Sequence, residues 1–335
     1  MKKSFINPLV TGGCGFLGSS LVRILSPISE TVTVIDNLST GLQSNINHLT
    51  DKNLRFIQDD IRNDSILRNL IRDSDIIFHL ACLGVRHSLH SPIENNDVNS
   101  TATLQMLKIA KEENIKRFIH VSSSEVYGTG TFIPIDENTP TFPHTVYGSS
   151  KLAGECHARA FYKSYSFPSV ILRPFNVYGP RCHHEGDSGE VIPKFILRVL
   201  AGKPMLIFGS GNQTRDFTFV DDTARAIKNA ALSPEVIGHT INIGSGKEIS
   251  INNLTKIIGF VTNSTNPLVE HIDPRPGDVE RLYSNSKLAE KLLNFKPKVD
   301  LISGLQVLLT WYQEQEICPT ELITDDVDIN WEKTL

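Results

Sequence analysis

The chain has 335 residues, 40 % hydrophobic and 21 % charged, with a net charge of −4. That balance suits a globular protein with a substantial core, and without a basic block it argues against nucleic acid or an anionic membrane as partner. No apolar run reaches the ~18 residues of a membrane span, and the five scattered cysteines (14, 82, 156, 182 and 318) have no paired spacing, which suits a reducing cytoplasm.

In chain order, an apolar stretch over 5–10 runs into Thr11-Gly12-Gly13-Cys14-Gly15-Phe16-Leu17-Gly18, which opens an amphipathic segment, Phe16 to Leu25. This predicts a strand, a glycine turn and a helix. Gly12 and Gly15 let the backbone turn tightly beside a pyrophosphate, Gly18 lets the helix pack against the strand, and the helix N-terminus faces the phosphates. A second strand, Thr31 to Ile35, ends at Asp36, where a carboxylate can accept hydrogen bonds from an adenosine ribose. The next residues, Asn37 to Gly41, include no Arg or Lys to meet a 2′-phosphate, so charge favours NAD over NADP.

Further strands are expected over 54–58, 76–80, 117–121 and 169–173, alternating with helical patterns. That rhythm predicts an α/β fold with a doubly wound parallel sheet covered on both faces, its ligands at the carboxyl ends of the strands. After about residue 180 helices shorten and loops increase. The expected organisation is a sheet domain over 1–180 plus about 215–245, a smaller lobe from about 181–214 and 246–318, and an acidic tail over 319–335. Within the returning segment, 216–220 and 239–243 are expected to rejoin the sheet around a helix ending near 231.

Tyr147 and Lys151 stand one helical turn apart on one face, downstream of Ser122-Ser123-Ser124 at the end of a strand. A free phenol is a poor base near neutral pH; a nearby ammonium favours its phenolate, which can take a proton from a hydroxyl. Cys182-His183-His184-Glu185 has metal-ligand residue types, but adjacent residues do not converge on one ion and no second cluster completes a tetrahedron, so no metal is expected.

Thr11 to Gly18, Asp36, Asp59-Asp60-Ile61, His79-Leu80-Ala81, Ser122 to Gly128, Tyr147 with Lys151, Arg173 to Pro180, Arg215 to Val220 and Arg275 to Asp278, in that order, resemble an extended short-chain dehydrogenase/reductase of the nucleotide-sugar epimerase, dehydratase and decarboxylase group. The resemblance spans residues 5 to about 315. It implies a Rossmann-type sheet with a smaller C-terminal substrate-binding lobe, and NAD held by Gly12, Gly15, Phe16, Leu17, Gly18, Asp36, Asn37, Asp60, Ile61, Leu80, Ala81, Tyr147 and Lys151. It implies transient oxidation at sugar C4 by Tyr147, assisted by Ser123 and Lys151. Asn176, Val191, Arg215 and Arg275 would hold a nucleotide sugar, UDP-linked in kind, with Arg86 near an acidic sugar or a phosphate. Relatives pair helices into a homodimer; here Leu104, Met106, Leu107, Ala158 and Phe161, on helices near 95–113 and 147–166, are apolar positions available for it. Two departures are Pro8, which suggests a late strand start, and Cys82, where an alanine is usual.

Glu125, beside Ser123 and Ser124, bears on the reaction. Simple C4-epimerases of the group mostly carry a non-acidic residue there. Oxidation at C4 acidifies the C5 proton, and a glutamate can remove it. This points to a dehydratase, although Ser124 stands where hexose dehydratases often place an acid. UDP-glucuronate decarboxylation and UDP-hexose or UDP-uronate 4-epimerisation are the alternatives. A protein that only binds NAD on this fold would usually have lost Tyr147 or Lys151.

Overall fold

The computed structural model describes residues 3–49, 53–130, 132–185, 189–275, 277–315 and 317–324. Seven parallel strands form the main sheet: β1 (Pro8–Thr11), β2 (Val32–Asp36), β3 (Leu54–Gln58), β4 (Ile76–His79), β5 (Arg117–Val121), β6 (Ser169–Pro174) and β11 (Thr240–Ile243). Their order is β11-β6-β5-β4-β1-β2-β3. The direction of winding reverses between β4 and β1, which opens a crevice at the carboxyl ends of those strands. Among the described residues three small sheets complete the fold. They pair β7 (Asn176–Tyr178) with β10 (Phe217–Phe219), β8 (Met205–Phe208) with β13 (Val269–Ile272), and place β9 (Thr214–Arg215) between β12 (Ile249–Ser250) and β14 (Arg281–Leu282).

The pleat sends neighbouring residues of each strand to opposite faces. Val10, Val34, Phe78, Ile119 and Leu172 join one core, beneath the helices Phe16–Leu25 and Val220–Leu232. Leu9, Ile35, Ile77, Phe118 and Ile171 join the other, beneath Asp64–Arg72, Ala102–Glu112 and Val146–Tyr165. Both faces are covered, so the strands read as nearly continuous apolar runs. A third core gathers Ile192, Phe195, Ile196, Met205, Ile207, Leu254, Ile258, Leu305 and Leu308, and draws in Tyr178, Phe217, Phe219 and Val220.

Several expectations are corrected here. The first strand starts at Pro8, where a missing N–H is tolerated, and Phe5 makes only an isolated bridge to Ser29. Thr240–Ile243 joins the main sheet beside β6, but Phe217–Phe219 pairs with β7 instead, its aromatic rings feeding the third core. Met106, Leu107 and Ala158 are fully buried against the sheet, so they are not spare apolar surface for a partner; Leu104 stays 40 % exposed and Phe161 packs partly against the same core. At the tail, Pro319–Leu322 is helical and Ile323 is buried in the third core because its side chain is apolar; residues 325–335 lie outside the described residues. Among the described residues no helix is long and apolar enough to cross a membrane.

Candidate active site

A cavity of about 670 Å³ lies over the carboxyl ends of the central strands. Every residue that the sequence singles out for cofactor, chemistry or substrate lines it, from Gly12 and Asp36 through Ser123, Ser124, Glu125, Tyr147 and Lys151 to Asn176, Val191, Arg215 and Arg275.

The glycine turn fits a close-packed pyrophosphate cradle. Gly12 has φ +69°, and a Cβ there would sit 2.8 Å from the backbone of Ala81. A Cβ on Gly18 would lie 2.0 Å from the Gly12 carbonyl oxygen, so any side chain would push the helix off the turn. Phe16, Leu17 and Gly18 line the cavity, and as first-turn residues their N–H groups have no acceptor within the helix. Beneath the turn, His79 Nδ1 meets Thr11 Oγ1 at 2.8 Å and its Nε2 meets Thr103 Oγ1 at 2.8 Å. The Thr11 hydroxyl accepts from the N–H groups of Leu80 and Ala81, both at 3.2 Å. Burial pushes His79 down to about 3, so this knot is neutral.

Asp36 ends β2 with its carboxylate anchored by the N–H groups of Cys14 and Leu38, each at 2.9 Å. Each oxygen keeps a further lone pair for a ribose hydroxyl. At the same end, Asp60 accepts from Arg62 Nε at 2.9 Å, Arg62 Nη2 at 2.8 Å and Asn37 Nδ2 at 2.9 Å. The Arg62 hydrogen bonds are the main cause that draws the Asp60 carboxyl down to about 2. The sequence reading found no cation near Asp36. Arg62 does line this end of the cavity, but Asp60 engages it through both nitrogens. The residues present fit NAD.

At the reacting end, Val146–Tyr165 begins under a Thr145 cap whose Oγ1 accepts the Gly148 N–H at 3.1 Å. Tyr147 lies in the first turn, half-buried and hydrogen-bonded to Ser123. Burial pushes its phenol upward, and the negative environment of Cys82, Glu125 and Glu190 adds to this against the Ser123 bond. The buried Lys151 ammonium donates to the Val121 carbonyl at 2.6 Å. The ammonium answers its own burial by bonding the strand end, one helical turn from Tyr147, and burial dominates the phenol. Ser124 is buried, while Glu125 is half-buried in electrostatic contact with Tyr147 and Arg215.

At the substrate end, Arg215 Nη2 and Arg275 Nη2 converge on Asp278 Oδ1, each at 2.6 Å. Arg215 also donates to the Val279 carbonyl at 2.6 Å. Two guanidinium groups held by one carboxylate leave net positive charge for a diphosphate. Asn176 Oδ1 is buried without a hydrogen-bond partner among the described residues, on a side chain that lines the cavity. Arg86, on the short helix Val85–His90, and Val191, the first residue of Val191–Leu200, line it as well. In the cysteine-histidine cluster, His183 Nδ1 and His184 Nδ1 both approach Glu185, at 3.8 and 3.5 Å, and Cys182 is buried in the third core. Among the described residues no group of His, Cys, Asp and Glu could hold a metal.

Sequence reasoning missed Arg62, Glu190 and an asparagine clamp. Asn99 accepts the Leu83 N–H at 2.9 Å and donates to the Leu83 carbonyl at 2.9 Å, to Asn95 Oδ1 at 3.0 Å and to Ser150 Oγ at 3.1 Å. This ties the loop after β4 to the helix that carries Tyr147 and Lys151. Asn99 lies in the π-helical stretch Asp97–Thr101, a backbone feature that no local sequence pattern announces.

Residues 8–244 match the model of the NAD dependent epimerase/dehydratase family. The chain belongs to this family. UDP-glucose 4-epimerase of Mycolicibacterium smegmatis is 33 % identical over 313 residues, covering 92 % of this chain and 98 % of that protein. Among solved structures, the UDP-N-acetylglucosamine 4-epimerase from Methanobrevibacter ruminantium M1, in complex with UDP-N-acetylmuramic acid, superposes with a TM-score of 0.88 at 37 % identity, covering 94 % of this chain and 100 % of that one. DesIV, a dTDP-glucose 4,6-dehydratase from Streptomyces venezuelae solved with NAD bound, gives 0.87 at 30 % identity over 92 % of this chain and 98 % of its own. The family member described here is thus an NAD-dependent enzyme of nucleotide sugars in the extended short-chain dehydrogenase/reductase group.

Proposed function

We propose that the chain is a UDP-hexose 4-epimerase that works by transient oxidation at C4. The observation that carries this reading is the reacting end of the cavity. Tyr147, Ser123 and Lys151 suffice to move one proton at one hydroxyl, while the position beside Ser123 is the buried hydroxyl of Ser124. Expelling the sugar's 6-hydroxyl calls for a proton donor as well as a C5 base, and a serine does not supply that proton. Two of the three proteins named above are UDP-sugar 4-epimerases, which supports the same choice.

The first-turn N–H groups, Asp36 and Asp60 orient NAD, and Arg215, Arg275 and Asn176 seat the diphosphate and ribose of the sugar nucleotide. NAD, when bound, would supply the acceptor for the C4 hydride. Tyr147 takes the proton of the 4-hydroxyl, Ser123 bridges the phenol and that oxygen, and the Lys151 charge offsets the phenolate. Once the 4-keto sugar has turned over, the hydride would return to the opposite face of C4, and Tyr147 gives its proton back to the C4 oxygen. We also propose a homodimer through the helices Ala102–Glu112 and Val146–Tyr165, where Leu104 stays exposed.

The dehydratase reading keeps one specific support: the Glu125 carboxylate lines the cavity within electrostatic reach of Tyr147. Incubating the NAD-loaded protein with UDP-glucose and with UDP-glucuronate in deuterated water separates the possibilities. A product of unchanged mass, inverted at C4 and free of deuterium at C5, supports the epimerase. A UDP-glucose product lighter by one water overturns it in favour of the dehydratase, and loss of carbon dioxide from UDP-glucuronate in favour of the decarboxylase.

A further inference from the structure

Glu190 caps the N-terminus of Val191–Leu200, yet its side chain makes no capping hydrogen bond with that helix. Its backbone is fixed on both sides: the N–H donates to the His183 carbonyl at 2.8 Å, and the carbonyl accepts the Lys194 N–H at 3.1 Å. The carboxyl is half-buried and lines the same cavity as Arg86, His183 and Tyr147. It is in electrostatic contact with all three. Burial raises this carboxyl, and the charges of His183 and Arg86 pull against that rise, while Glu185 adds to it.

We infer that Glu190 selects for neutral sugars: it balances the Arg86 cation beside Tyr147, so that a nucleotide sugar with a C6 hydroxyl is accepted and one with a C6 carboxylate is turned away. The inference rests on the 4-epimerase reading for placing the sugar beside Tyr147. Arg86 without Glu190 would make a cationic corner, and a guanidinium is a natural seat for a carboxylate. With Glu190 present that corner is already answered. A second carboxylate would face Glu190 across a half-buried space where water screens little. A hydroxyl brings no charge and can donate to Glu190.

The test is calorimetric binding of UDP-glucose, UDP-glucuronate and UDP to the NAD-loaded wild-type protein and to Glu190→Gln and Glu190→Asp. The wild type is expected to prefer UDP-glucose by about tenfold or more. Glu190→Gln should bring the two sugars within about threefold, through gained UDP-glucuronate affinity, with UDP affinity unchanged. Glu190→Asp should keep the preference, which shows that charge and not a folding defect is at issue. Equal wild-type affinity for both sugars, or a preference that survives in Glu190→Gln, overturns the inference. If the preference follows Glu190 but UDP-glucose gives a dehydrated product, the selection stands and the 4-epimerase reading alone falls.

Discussion

The Lys151 ammonium bonds the Val121 carbonyl at the end of β5, at 2.6 Å, one helical turn from Tyr147. The charge that must answer a phenolate is thereby fixed to the sheet itself and does not depend on the mobility of a long side chain.

Replacing Tyr147 with Phe should remove the proton acceptor and leave the cavity's shape nearly intact. We expect kcat to fall ~10²–10⁴-fold with substrate and NAD binding close to wild type. Because burial pushes the phenol up, the reactive phenolate grows as pH rises, so wild-type kcat/KM should climb on the alkaline side. Steady-state kinetics across pH check both points; retention of more than a third of kcat takes Tyr147 out of the mechanism.

Asp36→Asn should weaken NAD by about 1–3 kcal/mol, the scale of a hydrogen bond to a charged group. One oxygen of the pair becomes a donor, and the anchors from Cys14 and Leu38 compete for the other. Titration of NAD into the cofactor-stripped protein measures the loss; unchanged affinity would remove Asp36 from the cofactor site.

Glu125→Gln separates the two reactions. For a 4-epimerase, turnover should stay within about threefold of wild type, since Tyr147, Ser123 and Lys151 are untouched. For a dehydratase, the variant should oxidise C4 and stall, without exchanging the C5 hydrogen with solvent. Product NMR in deuterated water distinguishes these outcomes.

His183 provides a second titration. Burial opposes its proton, but the Glu185 carboxylate 3.8 Å from Nδ1 and the Glu190 charge overcome it, so its pKa is raised. A raised folded-state pKa contributes stability that is complete below the ordinary histidine value near 6.5 and is lost as pH rises through the folded value. Glu185→Gln should lower the His183 pKa in an NMR titration and flatten the fall in stability above neutral pH. A His183 pKa unmoved by Glu185→Gln would refute the coupling.

Light scattering should give twice the 37.3 kDa chain mass at micromolar concentration, and Leu104→Asp should shift it toward a single chain. A wild-type mass near one chain rejects the dimer.

The glycine turn, Asp36 and the Tyr147–Lys151 pair were legible because each is a local pattern whose spacing is set by one strand, turn or helix. The sheet was legible for a related reason: strands covered on both faces are apolar at nearly every position, as in Val32–Asp36. Apart from Arg62, whose partner Asp60 is two residues away, what escaped depends on partners outside its own helix or strand. Asn99 reaches Leu83 and Ser150 across 16 and 51 residues, and in isolation it reads as a polar residue in a helix. Glu190 sits in a segment with no motif, and only folding brings it to Arg86 and His183. Apolar helix positions give the same periodic signal whatever covers them, so Met106 and Ala158 could not be assigned to sheet or partner before the fold was known.

The alternation of neighbouring strand residues between the two cores leaves the sheet without a spare reading frame. Deleting one residue inside β2 would exchange Val34 and Ile35 between cores and turn Asp36 away from the glycine turn in the same stroke. Length changes in this family member are therefore confined to the loops, and a single codon lost from a central strand should remove cofactor binding and stability together.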